Sequence, residues 1–486
     1  MKLITSCIIS CLFTISAWGL KSRNPDYLFG CWEKQVKSIN RHYLEFKYKE
    51  SAYRLYHSFE PWQQINTKTS GLIQINGNFY YQVDSLKTAK HVYKSQTQFD
   101  NKSLFYMGLG DTVLSKVTKT DYLEEPIDIA RYSPVFIINK FRKSKPKLDP
   151  ASTDSFAVYE MNINRIIVKL FIRKTDSIAV KITTLQDNDL YGDILNTYSY
   201  QKISKTQGTS FAKSIYIEKT NGKIHDTVEI TYASFIEKTS PVITRPKGYK
   251  MADEEKIKPD FNIESYSDHI HFMNMKHTDD KVMIVEFKGF MLCAEAPLNS
   301  ANGELIIREA QKIAPSKPIK YFVFCHFHPH YIGGFRAFVH KGSTILSPSS
   351  DSSYVQYLTS NQHTINPDSL QLQPRKLKLE LIKDSLTITD GAYEMKIYFI
   401  GKKSSHTTDY IVYYFPKEKM LFEGDLVWIK KEGKVTKAGK LDAGLYNAIK
   451  DLKIDVNTIV QSWPVNNYSV KTVIPFKELE ESVNLK

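Results

Sequence analysis

Apolar and polar residues alternate in short runs over the first half of the chain, and turn dipeptides separate these runs. Asn-Gly pairs at 76–77 and 221–222 each stand between two alternating runs, which is the strongest short-range signal of a two-residue β-hairpin. The runs at 165–172 and 177–183 are rich in Ile and Val and are expected to pair as strands. The pattern therefore predicts a β-rich domain over residues 20–248.

The pattern changes after residue 261 to a mixture of helical and strand-like periods. Residues 303–313 place apolar side chains at helical spacing, and residues 321–325 form a continuous apolar run that is typical of a buried strand. The preceding stretch 249–261 is polar and charged, so it is predicted to be a linker. The fold class is therefore α+β, with a mixed domain over 262–486. A helix near 32–44 is expected to pack on the sheet of the first domain.

The first nineteen residues have the pattern of a secretory signal peptide. Lys2 supplies a positive charge, residues 3–15 are almost all apolar or small, and Ala17 and Gly19 are the small residues that cleavage requires. The protein is therefore predicted to be secreted or periplasmic. A membrane anchor is the alternative interpretation of this segment, but its apolar run is shorter than a spanning helix needs. No later segment is long and apolar enough to span a membrane.

The composition is that of an ordinary globular protein, with 42% hydrophobic and 24% charged residues in a length of 486 that suggests two or three domains. The net charge is +14, but no five basic residues are consecutive, so no nucleic-acid partner is predicted. Beyond the signal segment the chain has three cysteines, Cys31, Cys293 and Cys325. An odd number gives no disulfide framework, so packing is expected to hold the exported protein together.

Histidines and acidic residues stand in three loops that each follow a predicted buried strand. The first loop reads His326-Phe-His328-Pro-His-Tyr-Ile-Gly-Gly, the second contains His406, and the third contains Asp425. Ligands gather beyond the carboxyl ends of strands in α/β folds, and side chains at i and i+2 of an extended segment point to the same side. Imidazole binds zinc well, and three protein ligands leave a fourth position for water. We therefore predict that these three histidines hold a zinc ion with Asp425 beside it.

This order of motifs resembles the metallo-β-lactamase superfamily, whose members carry H-x-H-x-D-H and Gly-Gly, then a lone His, an Asp after a strand, and a final His. The resemblance covers about residues 262–470 and is carried by the 326–334 motif, His406 and Asp425. It implies an αββα sandwich in the C-terminal half, preceded by the β-rich domain. It also implies a first metal site made by the first two motif histidines and His406, with Asp425 bridging or supporting the metal.

The chain departs from the family pattern at the second metal site. His330 stands at the motif Asp position, Tyr331 at the next His position, and Trp463 at the position of the final His. An indole N–H only donates hydrogen bonds, and a phenol with a pKa near 10 is a poor zinc ligand at neutral pH. We therefore expect one zinc ion rather than two.

Three functions remain open from the sequence. The first is a secreted zinc-dependent hydrolase in which zinc-bound water attacks an ester, thioester, lactone or amide of a small-molecule substrate. In this reading Asp425 supports the site, His330 supplies a further ligand or shuttles a proton, and Tyr331 donates to the developing oxyanion. The second is a binding or structural module that has lost activity, with Tyr331 and Trp463 filling the emptied pocket. The third is a carrier of an envelope ligand, led by the N-terminal β-domain. The substrate and the oligomeric state are left open.

Overall fold

The structure is a computed structural model that describes residues 26–55, 58–239 and 243–485. The predicted signal peptide lies outside the described residues. Within them, the strands assemble into three sheets, and the buried apolar side chains form two clusters. One cluster comes from residues 28–230, and the other comes from residues after 269 together with Leu190. The domain bounds at 249–261 stay a prediction.

The first part of the chain forms one antiparallel sheet and three α-helices. Its elements are α1 (Tyr27–Gln35), β1 (Tyr43–Arg54), β2 (Ile65–Ile75), β3 (Tyr80–Lys87), β4 (Val92–Phe99), β5 (Leu104–Gly108), α2 (Lys119–Asp128), α3 (Val135–Ser144), β6 (Phe156–Ile163), β7 (Ile166–Arg173), β8 (Ile178–Asn188), β9 (Gly192–Thr206), β10 (Thr209–Lys219) and β11 (Ile224–Ile236). The strand order is β5-β4-β3-β2-β1-β11-β10-β9-β8-β7-β6. Both predicted Asn-Gly hairpins form, because Ile75 pairs with Tyr80 and Lys219 pairs with Ile224.

The helix predicted over 32–44 is wrong in its bounds. α1 begins earlier, because the Asp26 side chain accepts a hydrogen bond from the Phe29 amide at 2.9 Å and caps the first turn. From Tyr43 the chain is already strand β1, in which buried side chains alternate with more exposed ones over most of its length. The strand period and the pairing of β1 with β2 and β11 therefore override the helical interpretation of that stretch.

The second part of the chain forms two mixed sheets. Its elements are β12 (Phe261–Ser265), β13 (Ile270–Met275), β14 (Asp280–Glu286), β15 (Met291–Ala294), α4 (Ser300–Ile313), β16 (Ile319–Val323), α5 (Pro329–Ile332), α6 (Phe335–Lys341), β17 (Thr344–Pro348), α7 (Ser352–Ser360), α8 (Ser369–Leu372), β18 (Lys378–Ile382), β19 (Ser385–Thr389), β20 (Glu394–Phe399), β21 (Ile411–Phe415), β22 (Met420–Glu423), α9 (Lys440–Leu452), β23 (Thr458–Gln461), β24 (Val473–Pro475) and α10 (Phe476–Asn484). Strands β12 to β18 form one sheet in sequence order, and β19 to β24 form the other.

The two mixed sheets share one hydrophobic core. The rings of Phe272 on β13 and Phe422 on β22 stack across it with centroids 5.7 Å apart. Helices α4, α6 and α7 pack together or against β16 and β17, and α9 and α10 pack together near β24. The C-terminal half is therefore a mixed α/β, strand-rich structure with helices beside both sheets. Strands β16 and β22 end next to the loops that bear the predicted site residues.

The predicted linker is tied at its start to the first part of the chain. The Ala252 amide donates to the Val117 carbonyl at 2.8 Å, and the Tyr249 hydroxyl donates to the Leu104 carbonyl at 2.7 Å. Residues 253–260 are all exposed. The segment is thus exposed over most of its length but tied at several points, since Glu254 accepts from the Thr120 amide at 2.9 Å and the Asp260 carbonyl accepts from the Lys276 amide at 2.8 Å.

Cys31, Cys293 and Cys325 are all buried and none of them is in a disulfide. Burial raises the pKa of Cys31 to about 12 and also raises the pKa of Cys293. The absence of a disulfide framework agrees with the odd cysteine count. Among the described residues, none of the helices has both the length and the apolar character needed to cross a bilayer.

Candidate metal centre

Side-chain nitrogens of His326, His328 and His406 lie within 4.8 Å of one another. Nε2 of His326 is 3.0 Å from Nδ1 of His328. The ring centroid of His406 lies 4.9 Å from that of His326 and 5.1 Å from that of His328. The structure therefore brings together the histidines of two loops that are separated by 78 residues in sequence.

The first two histidines are placed by a short extended segment between β16 and α5. His328 has the extended dihedral angles φ −65° and ψ 149°, and Pro329 then begins α5. Proline favours the first helical position because it needs no amide donor there and its φ suits a helix. The i and i+2 spacing in extended backbone puts both imidazoles on one side, as the sequence predicted.

His406 is placed by a tight turn after β20. Ser405 has a left-handed φ of 58°, and the Ser404 hydroxyl accepts hydrogen bonds from the amides of His406 at 3.1 Å and Thr407 at 3.3 Å. Asp409, at the end of this loop, accepts from the Phe327 amide at 2.7 Å. The two histidine loops are therefore linked directly by a hydrogen bond from a main-chain amide to a side-chain carboxylate.

The Gly-Gly pair of the first motif is required by close packing and not by an unusual backbone conformation. Neither Gly333 nor Gly334 has a positive φ. A Cβ on Gly333 would instead lie 2.6 Å from the Cα of Leu298, and a Cβ on Gly334 would lie 2.8 Å from the amide nitrogen of Gly303 on α4. Close packing of backbone on backbone therefore requires glycine here.

Asp425 lies beside the cluster, with Oδ2 3.3 Å from Nε2 of His406. Burial alone would raise the pKa of Asp425, but the neighbouring His406 outweighs burial and lowers it. Burial alone would likewise lower the pKa of His406, and Asp425 reverses this effect so that the pKa is raised. The pair is therefore electrostatically favourable, and Asp425 is ionised at neutral pH.

Tyr410 holds the Asp425 loop in place, and sequence reasoning gave it no role. Its buried hydroxyl accepts hydrogen bonds from the amides of Gly424 at 2.9 Å and Asp425 at 3.0 Å, and donates to Glu423 at 2.8 Å. Its ring also stacks on His326, with centroids 4.8 Å apart and planes 20° from parallel. A tyrosine at the start of an apolar strand resembles a core residue, so only its contacts reveal this role.

The three histidines have the properties of a metal site. Nε2 of His406 is buried and, among the residues that the structure describes, makes no hydrogen bond, although Oδ2 of Asp425 lies 3.3 Å away at ion-pair distance. Buried polar atoms without a hydrogen-bond partner are uncommon and call for an explanation such as an ion. Three imidazole donors with a carboxylate beside them suit zinc, and side-chain rotation can bring the three nitrogens onto one ion. The residues present therefore fit a zinc ion.

His330 lies outside this three-histidine cluster. Its Nδ1 is 2.9 Å from Oδ1 of Asp280, a fully buried residue that the sequence analysis did not identify. Burial raises the pKa of Asp280 to about 6 in spite of the neighbouring His330. Burial alone would lower the pKa of His330, but Asp280 more than compensates and the pKa is raised. The pair therefore retains a proton close to neutral pH.

Tyr331 and Trp463 occupy the positions where the family pattern has histidines. Tyr331 is 2% exposed, its ring centroid is 4.2 Å from that of His326, and burial raises its pKa well above the usual range. Trp463 packs against Trp428 and Tyr468, with ring centroids 5.8 Å and 5.3 Å away. Tyr331 is therefore a protonated aromatic neighbour of the centre, whereas Trp463 lies in an aromatic group beside His330, 5.8 Å from its ring centroid.

Cys325 is buried next to the cluster. Its Sγ is 3.0 Å from Nδ1 of His326. Burial, reinforced by the charge of Glu295, raises the pKa of the thiol well above the usual range. Because thiolate is the reactive form, this cysteine is unreactive at neutral pH, as expected for a core thiol.

The first part of the chain also reaches the centre. The carbonyl oxygen of Ser58 lies 3.1 Å from Nε2 of His328. Ser58 stands 270 positions before His328 in the sequence, so no local signal could have placed it here. The candidate centre is therefore built from both parts of the chain.

No family model matches the chain, and no curated protein matches its sequence. Solved structures that match it include the metallo-β-lactamase FIM-1 from Pseudomonas aeruginosa in a mono-zinc form, at 17% identity over 47% of this chain and 95% of that chain, with a TM-score of 0.34. They also include the metallo-β-lactamase from Pontibacter korlensis, at 16% identity over 46% and 97% of the two chains, with a TM-score of 0.34. The metallo-β-lactamase from Hirschia baltica matches at 16% identity over 46% and 96%, with a TM-score of 0.33.

These solved structures are metallo-β-lactamases, the family that the sequence motifs resemble, and each match covers slightly less than half of this chain. At these identities and TM-scores, nothing about the metal or the reaction follows from the likeness. The chemistry of the centre has to come from its own residues.

Proposed function

We propose that residues 262–486 form a metallo-β-lactamase-like hydrolase with a single zinc ion at His326, His328 and His406. The observation that carries the proposal is the convergence of three imidazole nitrogens within 4.8 Å, beside an ionised carboxylate. A zinc ion bound there supplies a Lewis acid and acidifies a bound water to a pKa of about 7. The substrate class is a carbonyl compound, namely an ester, thioester, lactone or amide.

The residues of the chain have separate tasks in this proposal. Asp425 orients His406 and accepts a proton or hydrogen bond from the attacking water. His330 would donate the proton that it shares with Asp280 to the leaving group, and the proton that Asp425 takes from the water would then replace it. Tyr331 is protonated, so its hydroxyl is suited to donate a hydrogen bond to oxygen at the reacting carbonyl. The charge on Asp425 also stabilises His406 in its working orientation.

Binding of one zinc ion rather than two is supported by the contacts of the residues that stand at the positions of the family's second metal site. His330 is engaged by Asp280, Tyr331 keeps its proton, and Trp463 has no acceptor nitrogen. Among the described residues, the candidate metal-binding group consists of the three histidines alone. Among these described residues, a second ion would lack a set of protein ligands.

A binding or structural module without turnover is the second candidate. The burial of two of the candidate ligand histidines favours it. His326 is completely buried and His328 is 8% exposed. A substrate has to reach the open coordination position of the zinc ion. Burial of two of the three histidines restricts its approach. In this reading, zinc stabilises the fold and no substrate is turned over.

Metal analysis together with an activity panel separates the two candidates. The purified full-length protein is expected to contain one zinc per chain. Chromogenic esters, thioesters, lactones and a β-lactam test turnover, and a chelator followed by zinc addition tests its dependence on metal. Chelator-resistant turnover contradicts the metal mechanism, and one zinc without turnover selects the binding or structural module with its metal. No zinc contradicts the proposed zinc site and selects the module in its metal-free form.

Export of the protein is a further part of the proposal, and it rests on the first nineteen residues of the sequence. The mature N-terminus is expected near residue 20 when the full chain is expressed in a bacterium with a periplasm. Mass spectrometry of the periplasmic fraction measures it. Recovery of the uncleaved chain in the membrane fraction would favour the anchor instead.

A further inference from the structure

A loop from the first part of the chain contacts both histidine loops of the metal centre. We refer to residue 55 and residues 58–64, between β1 and β2, as the β1–β2 loop. The Ser58 carbonyl contacts His328, and the Phe59 carbonyl accepts hydrogen bonds from the amide of Thr408 at 2.8 Å and from its hydroxyl at 3.1 Å. Thr408 lies two residues after His406. The loop therefore touches the centre through main-chain oxygens, and Ser58 itself is only 4% exposed.

An aromatic cluster holds the β1–β2 loop in position. The Trp62 ring stacks on Tyr191, with centroids 5.4 Å apart and planes 28° from parallel. Tyr354 and Tyr357 pack edge-on against the same ring, at 5.4 Å and 4.9 Å. The ammonium of Lys223 lies 5.0 Å from the Trp62 ring centroid, within cation–π range. Trp62 is therefore an anchor that both parts of the chain build.

The contact with Ser58 determines which nitrogen of His328 carries the proton. A carbonyl oxygen can only accept a hydrogen bond, so Nε2 of His328 must be the donor. In neutral imidazole the other nitrogen, Nδ1, then has the lone pair. Nδ1 is the atom that lies 3.0 Å from Nε2 of His326, and it therefore faces the cluster.

We propose that the Ser58 carbonyl is a positioning group for the metal ligand His328, and that the β1–β2 loop makes the first part of the chain a component of the metal centre. The inference rests on the proposed zinc site. Metal-bound histidines commonly donate their second N–H to an oxygen that fixes the tautomer and the ring orientation. Here that oxygen belongs to the loop between β1 and β2 in the first part of the chain. The sequence left the role of this part open.

Zinc affinity of full-length variants tests the proposal. Trp62→Ala releases the loop without altering any ligand, and Trp32→Ala is the matched control. Trp32 lies on α1 in the same part of the chain, and its indole donates to Asn139 at 3.1 Å. Loss of an outer partner typically weakens metal binding by about 10–100-fold. Competition with a chromophoric chelator is expected to show this loss in Trp62→Ala and no change in Trp32→Ala.

The tautomer of His328 in the metal-free protein is a second readout, which a purely structural role of Trp62 would not change. Long-range proton–nitrogen NMR of nitrogen-15 histidine-labelled protein distinguishes the two tautomers, and His328→Gln assigns the signal. The wild type and Trp32→Ala are expected to show His328 protonated at Nε2. Trp62→Ala is expected to show a mixture of both tautomers.

The outcomes separate this proposal from the proposed function. Unchanged zinc affinity in Trp62→Ala overturns the positioning role, and equal weakening by both substitutions overturns it too, since general destabilisation then explains the loss. If the wild type binds no zinc, the proposed function fails. The tautomer of His328 then tests the positioning role of Ser58 by itself. An unchanged tautomer in Trp62→Ala refutes that role.

Discussion

Two histidines of the candidate centre, His326 and His328, are held by contacts at the ring nitrogen that does not face the cluster. His326 has Cys325 at one ring nitrogen and Tyr410 on its face, and His328 donates to Ser58. His406 has Asp425 at the nitrogen that lies in the cluster. The orientation of each ring is therefore set by neighbours from several elements, and single substitutions are expected to act on metal affinity in a graded way.

Removal of the lone histidine is predicted to abolish tight zinc binding. His406→Ala removes one of three donors, so the loss of affinity is expected to exceed the roughly 10–100-fold typical of outer partners. His340→Ala is the control, because Nδ1 of His340 contacts the Gln373 carbonyl at the surface. Zinc content after dialysis measures both. Undiminished zinc in His406→Ala would refute the ligand assignment.

The Arg336–Asp368 ion pair is predicted to stabilise the C-terminal half, because the two side chains are 2% and 8% exposed. Asp368 accepts from Arg336 at 2.6 Å and 3.0 Å, and also from Ser300 and the Gln371 amide. Removal of one partner of a buried pair costs about 3–5 kcal/mol. Asp368→Asn is therefore expected to lower the free energy of unfolding by that order, measured with urea.

The Arg336–Asp368 ion pair also predicts that the free energy of unfolding depends on pH. Burial alone would raise the pKa of Asp368, but Arg336 outweighs it and the pKa falls to about 2, below the ordinary value of 3.8. The stabilisation from a depressed carboxyl pKa is complete above pH 3.8 and is lost as pH falls towards 2. Urea unfolding between these values should show a steeper loss for the wild type than for Asp368→Asn. Parallel curves would contradict the linkage.

At the scale of elements, strand pairs were predictable and helix bounds near strands were not. The Asn-Gly hairpins at 76–77 and 221–222 formed because a turn dipeptide and a period of two are local signals. The helix predicted at 32–44 was wrong in its bounds, because the residues from Tyr43 onward pair as a strand with residues far away in sequence. The Gly-Gly pair was recognised correctly, but its physical reason, close packing of α5 and α6 on α4 and on Leu298, was not visible locally.

Packing at the Gly-Gly pair predicts a stability effect. Gly333→Ala places a methyl group against the Leu298 backbone, and overpacking of this kind typically costs about 1–3 kcal/mol. Gly289→Ala is the matched control, because no atom lies within 4 Å of its added methyl. Urea unfolding should show a lower midpoint for Gly333→Ala only. Equal midpoints for the two variants would mean that the backbone at Leu298 shifts to accept the methyl group with no loss of stability.

At the scale of the whole molecule, the two parts of the chain are joined by more than the linker. The Asp193 carboxylate accepts hydrogen bonds from the amides of Thr364 at 2.9 Å and Ile365 at 3.1 Å. Trp62 packs on Tyr354 and Tyr357, and Leu190 belongs to the core of the C-terminal half. These contacts are independent of residues 249–261, so the parts should stay together when the linker is cut.

Cleavage of the linker tests this association. A specific protease site in place of the exposed residues 253–258 lets the chain be cut after folding. The two fragments are expected to co-elute in gel filtration under native conditions and to keep their zinc, since the β1–β2 loop stays against His328. The uncut protein with the same inserted site is the control. Fragments that separate on dilution would show that the interface is too weak to hold the centre together.

The sequence by itself determined the strand-rich start, the mixed second half, the ligand types and the departures at His330, Tyr331 and Trp463. Periodicity, turn dipeptides and the hydrogen-bonding capacity of a side chain are local properties, so a sequence contains them. Only the tertiary structure decided that Ser58 contacts His328, that Asp280 engages His330 and that Tyr410 holds the Asp425 loop. Those contacts join residues that are 13 to 270 positions apart. No local pattern specifies such pairs, because packing of sheets and loops from the whole chain creates them.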